Sequence, residues 1–315
     1  MPTVPKQILF LCILLLTAFS ANAAVFVCTW NLRDFGRTRS DEEIAYIAQT
    51  IKHCDVLAIQ EVVAGPGGAQ AVARLALQLN RSSGGHWDYV ISDATSSSAY
   101  KRERYAFIWK TNRVTKVGAP RLEKQYHLRI DREPFYIDFR QGKHTFTLAG
   151  FHAITAKKQP EKEVKYLRYV SALKGPHPLV FCGDFNLPST HTVFNPLKKM
   201  GYQPILEKQK TSLRKQCKAD GCLASPFDNV FVPVKQLRVL RSGVIHFYRD
   251  FRNLRRRGGF PTIFLCSWKS ILWRTAPPKN LRGRRKSDYN VPFTSVRSLI
   301  LPHCVNRLSK FSRFE

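Results

Sequence analysis

From Val25 to about Phe247, short apolar runs alternate with amphipathic stretches, and the runs are bounded by Gly, Pro, Asp or Asn. Apolar runs between turn residues predict strands, here over residues 25–30, 56–59, 87–91, 105–109, 135–139, 146–151, 179–182 and 229–232. Amphipathic stretches over 41–51, 69–79 and 161–173 predict helices. The first is the best marked. Ser40 is a good N-cap, and Ile44, Ile47, Ala48 and Ile51 recur at the helical period on one face. No linker interrupts the alternation, so residues 24–248 are expected to form one α/β domain, with two layers of sheet and helices outside.

The two ends break this pattern. Lys6 precedes an apolar run over residues 8–19, followed by Ala21-Asn22-Ala23. A basic start, a short apolar stretch and an Ala-x-Ala site describe a signal peptide over residues 1–23. The run is too short for a comfortable membrane span. The mature chain is therefore expected to be exported, secreted or periplasmic, with no stable membrane insertion, and monomeric. Residues 249–315 carry 16 Lys and Arg against 3 Asp and Glu, and their periodicity fades. Trp268, Trp273 and Pro277-Pro278 fit no clean element there.

Composition narrows the function classes. A hydrophobic fraction of 44% excludes global disorder, and a net charge of +29 calls for an anionic partner, nucleic acid or an acidic lipid surface. Cys28, Cys54 and Cys182 lie beside apolar runs and read as buried small side chains. Cys217 and Cys222 flank a polar turn, where either a short-loop disulfide or two free thiols would fit.

Five segments place polar groups at strand ends. Asn31 closes the first strand in Trp-Asn-Leu-Arg-Asp-Phe-Gly, Gln60-Glu61 follows the second, and His152 ends an apolar strand. Asp184 and Asn186 follow another in Gly-Asp-Phe-Asn, and Asp228 begins the last. Singly each is weak, because an acid after a strand is usually a cap and a histidine there is usually a satisfied structural residue.

Taken in order, strand–Asn, strand–Gln-Glu, strand–His and strand–Gly-Asp-x-Asn resemble the endonuclease/exonuclease/phosphatase superfamily. Three further segments resemble its deoxyribonuclease I-like branch: residues 30–36, the Tyr100-Lys101-Arg102-Glu103 stretch with one residue of extra spacing, and Arg132-Glu133-Pro134. The resemblance implies a four-layer α/β sandwich of two mixed, mainly antiparallel sheets packed face to face with helices outside. It also implies a divalent-metal-dependent hydrolase of phosphodiester bonds, an endonuclease acting on DNA.

The roles it implies suit the chemistry, which needs an activated water, neutralised phosphoryl oxygens and a proton for the leaving oxygen. Glu61, with the Asn31 amide beside it, would hold Mg²⁺, or Mn²⁺ or Ca²⁺. His152, held by Glu103, would transfer a proton, while Asp184 and Asn186 orient the nucleophile and the phosphate. Asp228 would hold a second histidine, Arg132 would make a bidentate phosphate contact, and Arg33 and Tyr100 would touch DNA. Two other readings stand beside this one: the same fold acting on a phospholipid head group or another phosphate ester, and a non-catalytic nucleic-acid-binding relative.

The resemblance fails at its end. The superfamily closes with Ser-Asp-His before a last strand, whereas here the nearest match is Ser287-Asp288-Tyr289. Codons for the stretch from Gly259 to Trp268 can be chosen so that, read from the third base, they encode Ile-Ser-Asp-His-Phe-Pro-Val-Phe-Leu. This leads to the expectation of a frameshift between about Arg249 and Gly259, which would leave the chain as written impaired.

Overall fold

Successive residues along the central strands face two different apolar layers, so each of the two large sheets is buried on both sides. The computed structural model describes residues 24–96, 102–172, 175, 177–218, 221–248 and 271–275. These belong to the first of two compact units, which ends at Ala276; the second, Pro277–Glu315, lies outside the described residues.

The first sheet is built from β1 (Val25–Phe35), β2 (Val56–Val63), β3 (Trp87–Ile91), β4 (Glu103–Lys110), β13 (Leu237–Arg241) and β14 (Ile271–Thr275). Their order is β13-β14-β1-β2-β4-β3. The second sheet takes β5 (Thr115–Leu122), β6 (Phe135–Gln141), β7 (His144–His152), β8 (Leu179–Asp184), β9 (Tyr202–Pro204) and β12 (Asp228–Pro233), in the order β5-β6-β7-β8-β12-β9. β10 (Leu213–Lys218) and β11 (Gly221–Leu223) form a separate hairpin. Each large sheet contains one parallel pair, β1 with β2 and β7 with β8; the other pairs are antiparallel.

Both parallel pairs are joined by helical crossovers, as a parallel connection requires. Helix α1 (Asp41–Ile51) links β1 to β2. Ser40 Oγ accepts from the Glu43 N–H at 3.2 Å, and the Glu43 carboxylate accepts from the Ser40 N–H at 2.9 Å, a complete capping box. Helix α2 (Pro66–Ser82) packs beside α1. The stretch between β7 and β8 forms two short helices, α3 (Glu161–Val164) and α4 (Leu167–Ala172), rather than the single helix its periodicity predicts. The Tyr166 N–H bonds to the Glu163 carbonyl three residues back, and this tighter turn breaks the α register. Helix α5 (Asn195–Lys199) follows β8.

The alternation yields three apolar layers. Val25, Val27, Val56, Ala58, Tyr105 and Phe107 meet Phe135, Ile137, Leu148, Val180 and Val230 between the sheets. Their neighbours Cys28, Trp30, Leu57, Ile59, Ala106 and Ile108 pack against α1 and α2. On the far side Ala149, Phe151, Phe181 and Phe231 pack with Leu167, Phe194 and Leu197. Helices, sheet, sheet and helices give the four layers.

Two expectations need correction. Cys28 and Cys54 are buried as read from the pattern, but they are more than small core side chains: they form a disulfide joining β1 to the turn ahead of β2, and their place in the apolar layer hides the bond from pattern reading. Cys182 is buried, and its thiol donates to the Ala149 carbonyl at 3.6 Å. Cys222 is disulfide-bonded as well, and the Cys217 side chain lies outside the described residues. Trp273, which fits no strand by pattern, lies in β14, a strand in the interior of the first sheet. The segment holding Ser287, Asp288 and Tyr289 is outside the described residues.

Candidate active site

Register brings the polar residues of the central strands to one edge of the sandwich. Across the second sheet His152 lies opposite Asp184, and Asp184 lies opposite Asp228, so three consecutive strands present the three residues side by side. Gly183 makes this alignment possible. Its φ is +145°, and a Cβ there would sit 1.9 Å from the Phe151 carbonyl oxygen, so only glycine lets β8 approach β7 this closely.

In the first sheet the strands do not stop where the apolar runs end. β1 continues past Asn31 to Phe35, and β2 continues past Glu61 to Val63, each with a register shift at that point. Such bulges re-aim side chains. Glu61 sits in the left-handed region, with φ +60°, and Asn186 has φ +49°. Backbone strain of this kind, of order 1–3 kcal/mol per residue, persists where the surrounding fold imposes it. Gln60, adjacent to Glu61, is fully buried and its amide donates to Thr29 Oγ1 at 3.0 Å, which pins β2 to β1.

At the shared edge the Asn31 amide donates to Glu61 Oε1 at 2.7 Å and lies 3.4 Å from Asp184 Oδ2. His152 Nε2 is 3.8 Å from Glu61 Oε1. Its Nδ1 lies 2.9 Å and 3.0 Å from the two oxygens of Glu103. Arg132 Nη1 donates to Glu103 at 3.3 Å, and its Nη2 donates to the Ala153 carbonyl. The His152 N–H donates to Tyr105 Oη at 3.1 Å, whose hydroxyl in turn donates to the Arg132 carbonyl at 3.1 Å. His152 and Glu103 are 3% and 6% exposed, so the pair works almost without solvent screening.

That burial decides the electrostatics. Desolvation disfavours the charged form of His152, but the Glu103 carboxylate against its ring more than offsets this, and the imidazole pKa rises above its ordinary value. For Glu103 desolvation is again the largest single influence, and His152 with Arg132 together outweigh it, holding the carboxyl below its usual range. Burial raises the Tyr105 phenol far above its usual value, so it stays neutral and hydrogen-bonding.

Asn31, Glu61, Glu103, His152 and Asp184 thus converge. The Asn186 N–H donates to Asp184 Oδ1 at 2.9 Å, but its side-chain amide donates to the Ala153 carbonyl at 2.9 Å and braces the loop after His152. Asp228 is 3% exposed, beside Asp184, with Thr211 Oγ1 accepting from its N–H. Arg132, expected as an open phosphate contact, is turned inward onto Glu103 and Ala153. Arg33, two residues beyond Asn31 on β1, is exposed and pairs with Asp34 at 3.4 Å. Tyr100 lies outside the described residues.

Three supporting residues escape sequence reasoning. Tyr105 is hidden inside an apolar strand. Glu133, 3% exposed, accepts from the Ser96 N–H and hydroxyl and so anchors the segment ahead of Glu103. Glu163, 4% exposed, accepts from the Asp131 and Ile154 N–H groups. The Glu adjoining Arg132 was the one available signal.

Among the described residues no group of three His, Cys, Asp or Glu is placed to enclose a metal. Glu61, Asp184 and the Asn31 amide do offer hard oxygen donors at an open edge, with Glu61 26% exposed at its side chain. One or two carboxylates, completed by water and phosphate, suit Mg²⁺.

The Endonuclease/Exonuclease/phosphatase family model matches residues 28–284. A deoxyribonuclease of Thioalkalivibrio sp. (strain K90mix) is 29% identical over 231 residues, 70% of this chain and 61% of that protein. Deoxyribonuclease gamma of Homo sapiens is 28% identical over 191 residues, 55% of this chain and 60% of its own length. The chain therefore spans about three fifths of these relatives. Among solved structures, the mannosyl-6-phosphatase of Bacteroides thetaiotaomicron superposes with a TM-score of 0.59 at 16% identity, over 79% of this chain and 99% of that one. This likeness is one of fold.

Proposed function

The chain belongs to the Endonuclease/Exonuclease/phosphatase family, on its deoxyribonuclease I-like branch, and from that premise we propose that it is an exported, divalent-metal-dependent endonuclease that hydrolyses phosphodiester bonds in DNA. The observation that carries this reading is the buried Glu103–His152 pair, with the imidazole Nε2 facing the edge where Glu61, Asn31 and Asp184 meet.

Glu103 accepts from His152 Nδ1 and fixes the ring, leaving Nε2 as the atom that meets the reacting oxygen. The raised imidazole pKa favours the protonated ring, suited to giving a proton to the leaving oxygen. Asp184, held by the Asn186 N–H, orients the attacking water. A bound Mg²⁺ on Glu61 and Asn31 would neutralise charge on the phosphoryl oxygens. Arg132 acts through Glu103, as a positioning residue.

DNA as the substrate is supported by the deoxyribonuclease relatives and by 34 Lys and Arg against 19 Asp and Glu in residues 24–248. Export is supported by the signal-like residues 1–23 and by the Cys28–Cys54 disulfide, a bond favoured in oxidising compartments. Among the described residues no helix is long and apolar enough to cross a membrane. We also propose that residues after about 249–259 are read out of frame, which costs the site its second histidine.

The test is plasmid cleavage by the purified chain from Ala24 in Mg²⁺ and Ca²⁺, with EDTA and His152→Ala controls. Cleavage that needs both metal and His152 is the expected result, at a low rate. Cleavage indifferent to His152 would overturn the reading.

A further inference from the structure

Beyond His152 the chain leaves β7 and enters a segment dense in cations. Lys157, Lys158, Lys162, Lys165 and Arg168 fall within twelve residues, against Glu161 and Glu163. Glu163 is turned inward, 4% exposed, with its carboxylate accepting from the Asp131 N–H at 2.7 Å and the Ile154 N–H at 2.9 Å. One buried carboxylate therefore fastens this segment both to the residue before Arg132 and to the second residue after His152. The four lysines are exposed, so the surface beside the candidate active site is strongly positive.

It is also aromatic. Tyr126, Tyr166 and Tyr169 form a mutual cluster, with ring centroids 5.4, 6.2 and 6.1 Å apart. The Arg168 guanidinium lies over the Tyr169 ring at 4.3 Å and Lys165 Nζ over the Tyr166 ring at 5.3 Å. Tyr169 is 39% exposed. Core packing explains the inner faces of Tyr126 and Tyr166, which rest on the outer apolar layer, but not the cations gathered around them. Flat rings and guanidinium planes interleaved with ammonium groups suit a polynucleotide strand: the cations meet phosphates and the planes stack on bases.

We propose that this surface is a second polynucleotide contact, holding unpaired nucleotides that flank the cleaved phosphate through Lys157, Lys162 and Lys165 and through stacking on the Tyr169–Arg168 platform. The flanking role rests on the nuclease reading above; strand binding itself does not. An anionic membrane is the poorer match. Tyr126 and Tyr166 are half-buried against the core, and Leu128, 85% exposed, is the lone aliphatic side chain protruding from the Tyr126 turn, little apolar area for insertion.

The test is fluorescence anisotropy in EDTA, using the chain from Ala24 with His152→Ala and labelled oligonucleotides of about 20 nucleotides, single-stranded and duplex, over a salt series. Substituting Lys157, Lys162 and Lys165 together by Gln should flatten the single-strand slope of log affinity against log salt by about 2, roughly 0.7 per lost contact. Tyr169→Ala should weaken single-strand binding about tenfold and duplex binding less. Circular dichroism melting checks that these surface variants fold. Unchanged slope and affinity would overturn the proposal. So would loss of binding to phosphatidylglycerol vesicles with oligonucleotide binding intact, which would make the surface a lipid contact. Plasmid cleavage separates the two claims. A chain that binds strands through these residues yet never cleaves keeps this surface and loses the nuclease reading. A chain that cleaves normally with an unaltered salt slope does the reverse.

Discussion

Individual residues at the site are held by opposing forces whose balance is measurable. The His152 pKa is raised from 6.5, so its share of stability is fully present below that value and is lost as pH rises through the higher folded value. Glu103 is lowered from 4.5, so its share is present above that value and is lost as pH falls through the lower folded one. Together they contribute most between 4.5 and 6.5. Melting curves in EDTA from about pH 4 to pH 9 should show Glu103→Gln costing most inside that window, and a cost that ignores pH would contradict the pairing. Gly183 is the sharper steric case. Because a Cβ would stand 1.9 Å from the Phe151 carbonyl, Gly183→Ala must push β8 from β7. We expect a loss of about 3 kcal/mol in denaturant unfolding, together with lost activity because His152 and Asp184 separate. A variant as stable as the parent would show that the strands are not so tightly opposed.

Among the elements, what was legible in the sequence follows from burial. The central strands β1, β2, β4, β6, β7, β8 and β12 are apolar on both faces and announce themselves as continuous runs. Of the four edge strands only β3 is read from its apolar run; β5, β9 and β13 also lie at sheet edges, where one side needs no partner and Gly, Pro and charge are tolerated, and Thr115–Leu122 contains Gly118 and Pro120. They carry no pattern to find. Site residues at the ends of apolar strands could be picked out by type and order, whereas Tyr105 and Glu163 act through bonds that only the fold creates. The inward turn of Arg132 belongs with them, since no spacing reveals which of two anions a guanidinium will face. The Cys28–Cys54 bond is the element-scale feature most open to experiment. It closes a loop with a sequence separation of 26 around α1 and ties β1 to the start of β2, the two strands that carry Asn31 and Glu61. Replacing both cysteines by serine should lower unfolding stability by about 2–4 kcal/mol. No loss in the variant relative to the oxidised parent would mean that this bond does not constrain the unfolded chain.

At the scale of the whole molecule, the sandwich and the tail meet in β14. This strand lies between β13 and β1, in the sheet that supplies Asn31 and Glu61, and the chain reaches it only after Arg249. A change of reading frame between about Arg249 and Gly259 would therefore act twice: it would rewrite an interior strand of the first sheet, and it would remove the histidine that the superfamily pattern places beside Asp228. Asp228 is already in position opposite Asp184, so a restored Asp-His would arrive at an edge whose other members are assembled. The frame-restored chain should then melt higher than the chain as written and cleave plasmid about 10²–10⁴-fold faster, the usual worth of a positioned proton-transfer group. Melting alone tests the strand, and cleavage tests the histidine. A restored chain that is more stable but no faster would place the deficit in folding, and nucleotides unable to spell Ser-Asp-His in the shifted frame would remove the frame argument altogether.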